Sequence, residues 1–366
     1  MPIYMDFHDL PDGVTSAHVS EMHQADLKIE HKYNCRGLTY WCDERRKTAF
    51  CLIEAPTEQA IIDLHETAHG GVPQRIIEVN DAIVESFLGR IKDPEKAQNT
   101  KLNIINDTAF RTLMVLKFNK NALRTENIET LQAALRGYNT SIINIVSQND
   151  GRVVKQDTDA FLMSFTRVTN AMESAIKIQE IYNYVITPDL DFKIGISAGV
   201  PVTEKEHIFE DTINKADYLT YVPNGSIIVS PEVKDLYESE NQNNPIAIEG
   251  VVALKSTEME FLIRLFEYTE RVWTNSNTNV NDYNKNLGLS KSKLYRTIMP
   301  ILGKSPNGFI KEYRLNKALA FLDQQTSNIS EVAYRSGFSS PTYFSKCFLE
   351  AYGILPSAYI KQMSDK

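Results

Sequence analysis

Leu289-Ser290-Lys291-Ser292-Lys293-Leu294-Tyr295-Arg296 and Gly337-Phe338-Ser339-Ser340-Pro341-Thr342-Tyr343-Phe344-Ser345-Lys346-Cys347-Phe348 state one pattern twice. In each, a glycine-bearing turn leads to a serine and then to a helix that carries a basic residue. Ser290 and Ser339 can each accept a backbone N–H bond as helix N-caps. Between the two copies, Ser305-Pro306 starts another helix with Pro in its first position. Carried to about Asp323, that helix is roughly 27 Å long at 1.5 Å per residue. A spacer of this size sets two recognition helices about one duplex turn apart, roughly 34 Å. Two helix-turn-helix units so spaced point to a segment that reads DNA, and make everything upstream a candidate sensor.

The bulk numbers agree. A chain of 366 residues is too long for one ordinary core, so two or three domains are expected. The net charge of −8 argues against coating nucleic acid along the whole length, but from residue 275 onward 12 Lys and Arg face 6 Asp and Glu, leaving −14 on the preceding residues. A basic module on an acidic body suits a DNA reader with a separate regulatory part. No apolar run is long enough to span a bilayer. The opening Met-Pro-Ile-Tyr-Met-Asp lacks the basic-then-apolar pattern of a signal peptide, so a cytoplasmic location without membrane partners is expected. Cys35, Cys42, Cys51 and Cys347 show no paired metal spacing and read as reduced thiols. Six of the seven histidines fall within the first 69 residues.

Residues 1–80 read β-α-β-β-α-β: a strand at Ile3–His8, a helix at Thr15–Lys32, a hairpin of Cys35–Cys42 and Thr48–Ile53, a helix at Thr57–His69 and a strand at Arg75–Val79. That order is ferredoxin-like. Residues 81–107 read as a connector with a short helical stretch. A second segment, 108–270, mixes strands and helices without strict alternation, which means α+β. Its strands are Thr112–Phe118, a hairpin within Val153–Phe165, Phe192–Val200 and Ser226–Ser230; its helices are Glu126–Val146, Thr169–Tyr184 and Phe209–Leu219. The polar run Thr274–Asn279 suits a linker. An all-α segment, 278–364, follows. The expected fold class is therefore α+β, with a ferredoxin-like start and an all-α double helix-turn-helix end.

The last segment resembles the AraC-type transcription regulators. The resemblance rests on Ser290–Arg296, Gly303-Lys304-Ser305-Pro306, Tyr313–Ala318, Ile329–Ala333, Gly337-Phe338-Ser339, Tyr343–Phe348 and Gly353–Pro356. It places Ser292, Lys293, Tyr295 and Arg296 on the exposed side of the first recognition helix, and Pro341, Thr342, Ser345 and Lys346 on that of the second. Arg296 and Lys346 would meet guanine edges or phosphate alone. Leu294, Ile298, Phe344 and Phe348 would be the buried side of each helix. Pro300 departs from the pattern: it removes a backbone donor inside the first recognition helix and should kink it.

The middle segment resembles the class III nucleotide cyclases in Gly151–Leu162, Lys193–Gly199, Phe209–Leu219, Gly225–Ser230 and Leu254-Lys255. By that resemblance Lys155, Asp159 and Asn214 are the nucleotide-binding positions. The chemistry is incomplete. One of the two metal-holding carboxylates falls at Asn119, the arginine expected four residues after Asn214 is Tyr218, and the acidic partner of Lys155 is replaced by His207. Losing one charge-stabilising donor typically costs on the order of 10²–10³ in rate. What remains is a nucleotide-binding cleft or a dimerisation scaffold, and the resemblance implies a homodimer either way.

The first segment resembles small ferredoxin-like nickel-binding proteins in Met1–His8, His23–Lys28, Thr39–Trp41, Ala49–Leu52, His65–Gly70 and Ile76–Val79. His65 and His69 are four apart on one helix face. Asp6 and His8 share a strand face. His23 and Asp26 are three apart on the first helix. Imidazole and carboxylate suit nickel or another divalent metal, so Asp6, His8, His23, His65 and His69 are the candidate ligands. With Ile3, Met5 and Phe7 toward the helices, Asp6 and His8 would face the open side of the sheet. They would then join His65 and His69 only at an edge or across a dimer. One site, two half-sites and purely structural hydrogen bonds all remain open.

The sequence thus reads as a dimeric regulator binding double-stranded DNA under control of a small molecule or metal ion, without enzymatic activity. The rivals are an adenylate cyclase with a DNA-binding tail and a metal-binding regulator whose effector is nickel.

Overall fold

A computed structural model of the chain describes residues 1–94, 102–119, 128–157, 160–185, 191–242, 250–324 and 328–364; the side chains at 119, 128–136, 183–185, 191 and 362–364 are outside the description. The first unit runs β1 (Ile3–Asp9), α1 (Ser16–Ile29), β2 (Arg36–Asp43), β3 (Thr48–Glu54), α2 (Glu58–Ala68) and β4 (Arg75–Val79). Its sheet has the order β2-β3-β1-β4, antiparallel throughout, as the ferredoxin-like reading expects. Local chemistry fixes the helix starts. The Thr57 hydroxyl accepts from Ala60 N at 3.2 Å ahead of α2, and His18 Nδ1 accepts from Thr15 N at 3.1 Å ahead of α1.

The strand faces are the reverse of the sequence expectation. Tyr4 packs with Val19, Ile61 and Leu64 beneath the helices. Met5 packs on the far side with Trp41, Phe50 and Leu52, and with Leu113 and Phe209 of the second unit. Asp6 and His8, in phase with Tyr4, therefore face α1 and α2. The cause is that both faces of this sheet are buried, so neither set of β1 side chains is the solvent set.

Residues 81–110 join the two units. Asn80 caps α3 (Asp81–Leu88), and the buried Arg111 guanidinium donates to the carbonyl oxygens of Phe87 and Leu88 at its C-terminal end. The chain then shields the outer edge of β2: Asp93 N donates to Leu38 O at 3.2 Å and Cys42 N to Asp107 O at 3.0 Å.

The second unit comprises β5 (Arg111–Asn119), α4 (Ile128–Gln148), β6 (Gly151–Gln156), β7 (Ala160–Phe165), α5 (Val168–Val185), β8 (Asp191–Gly199), α6 (Glu210–Leu219), β9 (Ile227–Val229), α7 (Pro231–Glu240), β10 (Val251–Ala253) and α8 (Ser256–Val272). The sheet order is β10-β9-β8-β5-β7-β6, with β9 parallel to both β8 and β10. The helices α4, α5 and α7 build one apolar layer on it. On β8, Gly195 lets α6 come close: a Cβ there would lie 2.0 Å from Ala216 O. The architecture is mixed α+β, as the sequence indicates.

The remainder is helical: α9 (Val280–Leu287), α10 (Lys291–Leu302), α11 (Pro306–Asp323), α12 (Ile329–Arg335), α13 (Pro341–Tyr352) and α14 (Pro356–Ser364). Two cores hold it. The first, around Tyr283, Leu294, Ile298 and Phe309, is continuous with Tyr218 of α6 and with Leu262, Leu265 and Phe266 of α8. The second, around Leu319, Val332, Phe344 and Phe348, is built from the last four helices alone.

Candidate metal centre and nucleic-acid interface

Four elements of the first unit aim polar side chains at one buried point. β1 supplies Asp6 and His8, β3 supplies Cys51, α1 supplies Asp26, and α2 supplies His65 and, at its C-cap, His69. The β1–β3 pairing sets Cys51 beside Asp6, and Cys51 N donates to Asp6 Oδ1 at 2.8 Å. His65 lies between two carboxylates, with Nε2 2.9 Å from Asp6 Oδ2 and Nδ1 3.2 Å from Asp26 Oδ1. His69 Nε2 sits 3.3 Å from Asp26 Oδ2. Asp6 and His65 are each 1% exposed, so these contacts are shielded from water.

The electrostatics follow from that burial. Desolvation works against charge on His65, but its bonds to Asp26 and Asp6 outweigh it and raise its pKa to about 10. Desolvation likewise pushes Asp6 up, and the flanking His8 and His65 more than reverse it, holding this carboxyl far below its ordinary range. Burial, reinforced by Asp6 and Asp26, pushes the Cys51 thiol well up.

Two groups of donor atoms, each with all members within 4.8 Å of one another, meet at His65: Asp6, His8, Cys51 and His65, and Asp26, His65 and His69. The residues fit a metal ion. Nε2 of the buried His8 makes no hydrogen bond of good geometry, although Asp6 Oδ1 lies 3.3 Å away, so it is poorly satisfied where it stands. The set mixes carboxylate, imidazole and thiol, the donors of borderline divalent ions.

Against the sequence expectation, Asp6, His8, His65 and His69 converge within one chain, with no need of a sheet edge or a second subunit. His23 does not join them; its Nε2 pairs with Asp93 at 3.3 Å and its ring packs on Tyr40. Cys51 was missed, because its partners are brought together by strand pairing and not by spacing along the chain. The signal available was its phase: Cys51 alternates with Ala49 and Ile53 on the helix-facing side of β3.

The two copies of the C-terminal pattern coincide when shifted by fifty residues. Ser290 falls on Ser340, Leu294 on Phe344, Arg296 on Lys346, Ile298 on Phe348, Gly303 on Gly353 and Pro306 on Pro356. Each serine caps its helix, accepting from Lys293 N at 3.2 Å and Tyr343 N at 3.4 Å. The second cap is thus Ser340 and not Ser339, because the turn after Gly337 is one residue longer than that after Gly288. Leu294, Ile298, Phe344 and Phe348 are fully buried. Ser292, Lys293, Tyr295, Arg296, Thr342 and Lys346 are exposed, and Pro341 and Ser345 are half-buried. Tyr343, 53% exposed beside Thr342, belongs to the same surface and was not among the expected contacts. Pro300 does not break α10; it lies in the last turn, beyond the outward face at Ser292–Arg296.

Of the nucleotide-binding positions, Asp159 lies outside the described residues. Lys155 is on the outer strand β6, paired with Asp157 at 3.0 Å, while Asn214 is on α6, which packs over β5 and β8. Tyr218, where the cyclase resemblance expects an arginine, is buried against Phe266.

Comparison with known proteins divides along the same lines. Residues 4–79 match the family described as nickel responsive protein SCO4226-like, and residues 283–362 match the helix-turn-helix domain family. Histidine kinase P4 of Formosa agariphila is 33% identical over 115 residues, covering 31% of this chain and 8% of that protein. The uncharacterized HTH-type transcriptional regulator YdeC of Bacillus subtilis is 37% identical over 76 residues, covering 21% of this chain and 26% of that protein. Among solved structures, SCO4226 of Streptomyces coelicolor is 36% identical with a TM-score of 0.20, covering 21% of this chain and 94% of that one. The chain therefore spans 8% and 26% of the length of these curated relatives. Residues 4–79 are a segment of the nickel responsive SCO4226-like family, and residues 283–362 are a helix-turn-helix segment of the kind found in transcriptional regulators.

Proposed function

We propose that the chain is a sequence-specific DNA-binding transcription regulator whose DNA affinity is set by a metal ion held in its first unit. The observation that carries the reading is the pair of capped twelve-residue helices α10 and α13, each with a buried apolar side and an exposed polar one. The N-terminal residues of such helices are what enters the major groove. Ser292, Lys293, Tyr295 and Arg296 act from the first, and Pro341, Thr342, Ser345 and Lys346 from the second.

The reading takes the chain as three domains, 1–80, 108–270 and 278–364, working in the cytoplasm as a homodimer with four recognition helices. Among the described residues no helix is long and apolar enough to cross a membrane. The middle domain acts as a scaffold without catalytic activity, supported by Tyr218, which is built into an aromatic core. A bound cation would contribute positive charge beside Asp6 and its neighbours. These residues hold it and exclude water, and β1 and β3 carry the change to the Met5–Phe50 face that packs on the second unit. Regulation requires that the ion favour one arrangement over another.

The test is binding of the full chain to fluorescent DNA selected from random sequence, with and without nickel. Arg296→Ala and Lys346→Ala should weaken specific binding and lower the salt slope by about one each if both reach phosphate. Undiminished binding in the double variant removes the reader assignment, and affinity indifferent to the metal removes the effector.

A further inference from the structure

The two donor groups that meet at His65 are not equivalent, and hydrogen-bond directions separate them. His69 Nδ1 accepts from Gly71 N at 3.0 Å, so this nitrogen carries a lone pair and no proton. A neutral imidazole has one N–H, which then resides on Nε2. That N–H lies between the Asp26 oxygens, 3.2 and 3.3 Å away, and His65 Nδ1 at 3.0 Å. His69 Nε2 is thus committed as a donor and is closed to a cation unless the Gly71 bond is given up. Asp26 Oδ1 in turn lies 3.2 Å from both His69 Nε2 and His65 Nδ1.

The other group has the opposite character. His8 Nε2 is buried, 3.3 Å from Asp6 Oδ1 but without a hydrogen bond of good geometry. Asp6 is 1% exposed and Cys51 is 8% exposed. His65 faces a carboxylate at each ring nitrogen; an ion takes Nε2 by displacing the proton held against Asp6 while Nδ1–H stays with Asp26, and Nε2 lies on the side where Asp6, His8 and Cys51 converge. A carboxylate behind a ligating histidine fixes both its tautomer and its orientation. These donors all lie within 4.8 Å of one another, a span that two metal–donor bonds of roughly 2.0–2.3 Å nearly bridge.

We propose that the chain binds a single thiophilic divalent cation through Asp6, His8, Cys51 and the Nε2 atom of His65, with Asp26 and His69 as positioning residues that do not touch the ion. One imidazole cannot ligate through both nitrogens while donating to a carboxylate, so His65 admits one ion and not two. Ligation forms the metal–sulfur and metal–Nε2 bonds as the Cys51 thiol proton and the His65 Nε2 proton leave to water. A thiolate in the set selects nickel, cobalt or zinc over magnesium or calcium. This rests on the reading of the first unit as a metal sensor.

The test uses the metal-free full chain and cobalt(II) or nickel(II) alone, without DNA, followed by absorbance and equilibrium dialysis. One ion per chain is expected, with a thiolate-to-metal charge-transfer band. Cys51→Ser should lose the band and at least tenfold in affinity. His69→Gln should keep the band and the stoichiometry while losing roughly 10–100-fold in affinity, as for outer-shell partners. Far-ultraviolet circular dichroism and the surviving His69→Gln signal exclude misfolding as the cause. Two ions per chain, a band retained in Cys51→Ser, or a His69→Gln variant that behaves like Cys51→Ser would each overturn the assignment. Absence of any bound metal would instead reject the sensor reading itself.

Discussion

Tyr218 of α6 stacks on Phe266 of α8 with ring centroids 4.2 Å apart and planes 9° from parallel. Phe266 then meets Phe309 of α11 edge-on at 5.2 Å. The second unit and the first helix-turn-helix unit therefore share one aromatic core, whereas the second helix-turn-helix unit has its own. Truncating a buried phenylalanine typically costs about 3–5 kcal/mol. Phe266→Ala should lose that much, and the loss should be local. Hydrogen exchange followed by mass spectrometry should show α9 and α10 deprotected and α12 to α14 little changed. Uniform loss across all six helices would show that the cores are not separable.

Gly337 and Gly288 make a matched pair. Both have positive φ, +76° and +67°, where a side chain costs roughly 1–2 kcal/mol. At Gly288 a Cβ would meet nothing within 4 Å, but at Gly337 it would lie 2.1 Å from Trp273 O, which also accepts from Arg314 Nε at 2.8 Å. Gly288→Ala should thus cost only the backbone term. Gly337→Ala should cost about 1 kcal/mol or more beyond it, because the link from α8 must shift as well. Urea unfolding of the two variants checks this; equal losses would mean that Trp273 yields freely.

Sequence reading went furthest where structure is local. The strand and helix order of the first unit, the caps at Ser290 and Ser305 and the buried sides of both recognition helices all follow from short-range rules. It stopped where a second element decides. The phase of β1 is visible as alternation, but which phase faces the helices depends on the second sheet covering Met5 and Phe50. Cys51 and Asp6 are far apart in sequence and become neighbours only through strand register. Ser339 and Ser340 are equal as caps until the helix start at Pro341 chooses one. The helix α8 was absent from the sequence reading, and so was its role as the shared wall of two units.

Acid stability should depend on Asp43 at the hairpin tip. Its carboxylate accepts from Arg46 N at 3.0 Å, Arg46 Nη1 at 2.8 Å and the Thr108 hydroxyl at 2.7 Å. Burial raises its pKa, but the bonds from Thr108 and Arg46 outweigh that and hold it below its ordinary value. With the folded pKa below the unfolded one, the stabilisation is fully present above the unfolded value of about 3.9 and is lost as pH falls through the folded value. Asp43→Asn should therefore cost about 1.5–3 kcal/mol at neutral pH. It should also show a shallower decline in stability below about pH 4. Parallel pH profiles for the two proteins would assign the acid sensitivity elsewhere.

Pro300 offers a gain rather than a loss. It is exposed in the last turn of α10, so replacing it removes no packing. As proline it has no N–H for the carbonyl of Arg296 four residues earlier, and its ring crowds that carbonyl. In a helix interior alanine is better by about 3 kcal/mol. The unfolded chain gains freedom when proline is lost, which offsets roughly 0.4–1 kcal/mol. The position near the helix end reduces the gain further, so Pro300→Ala should stabilise the chain by about 1 kcal/mol. Calorimetry should show the rise in Tm. Because Ser292, Lys293 and Arg296 all precede the proline, a large change in DNA affinity would mean that Pro300 sets the pose of the first reader, beyond capping its length.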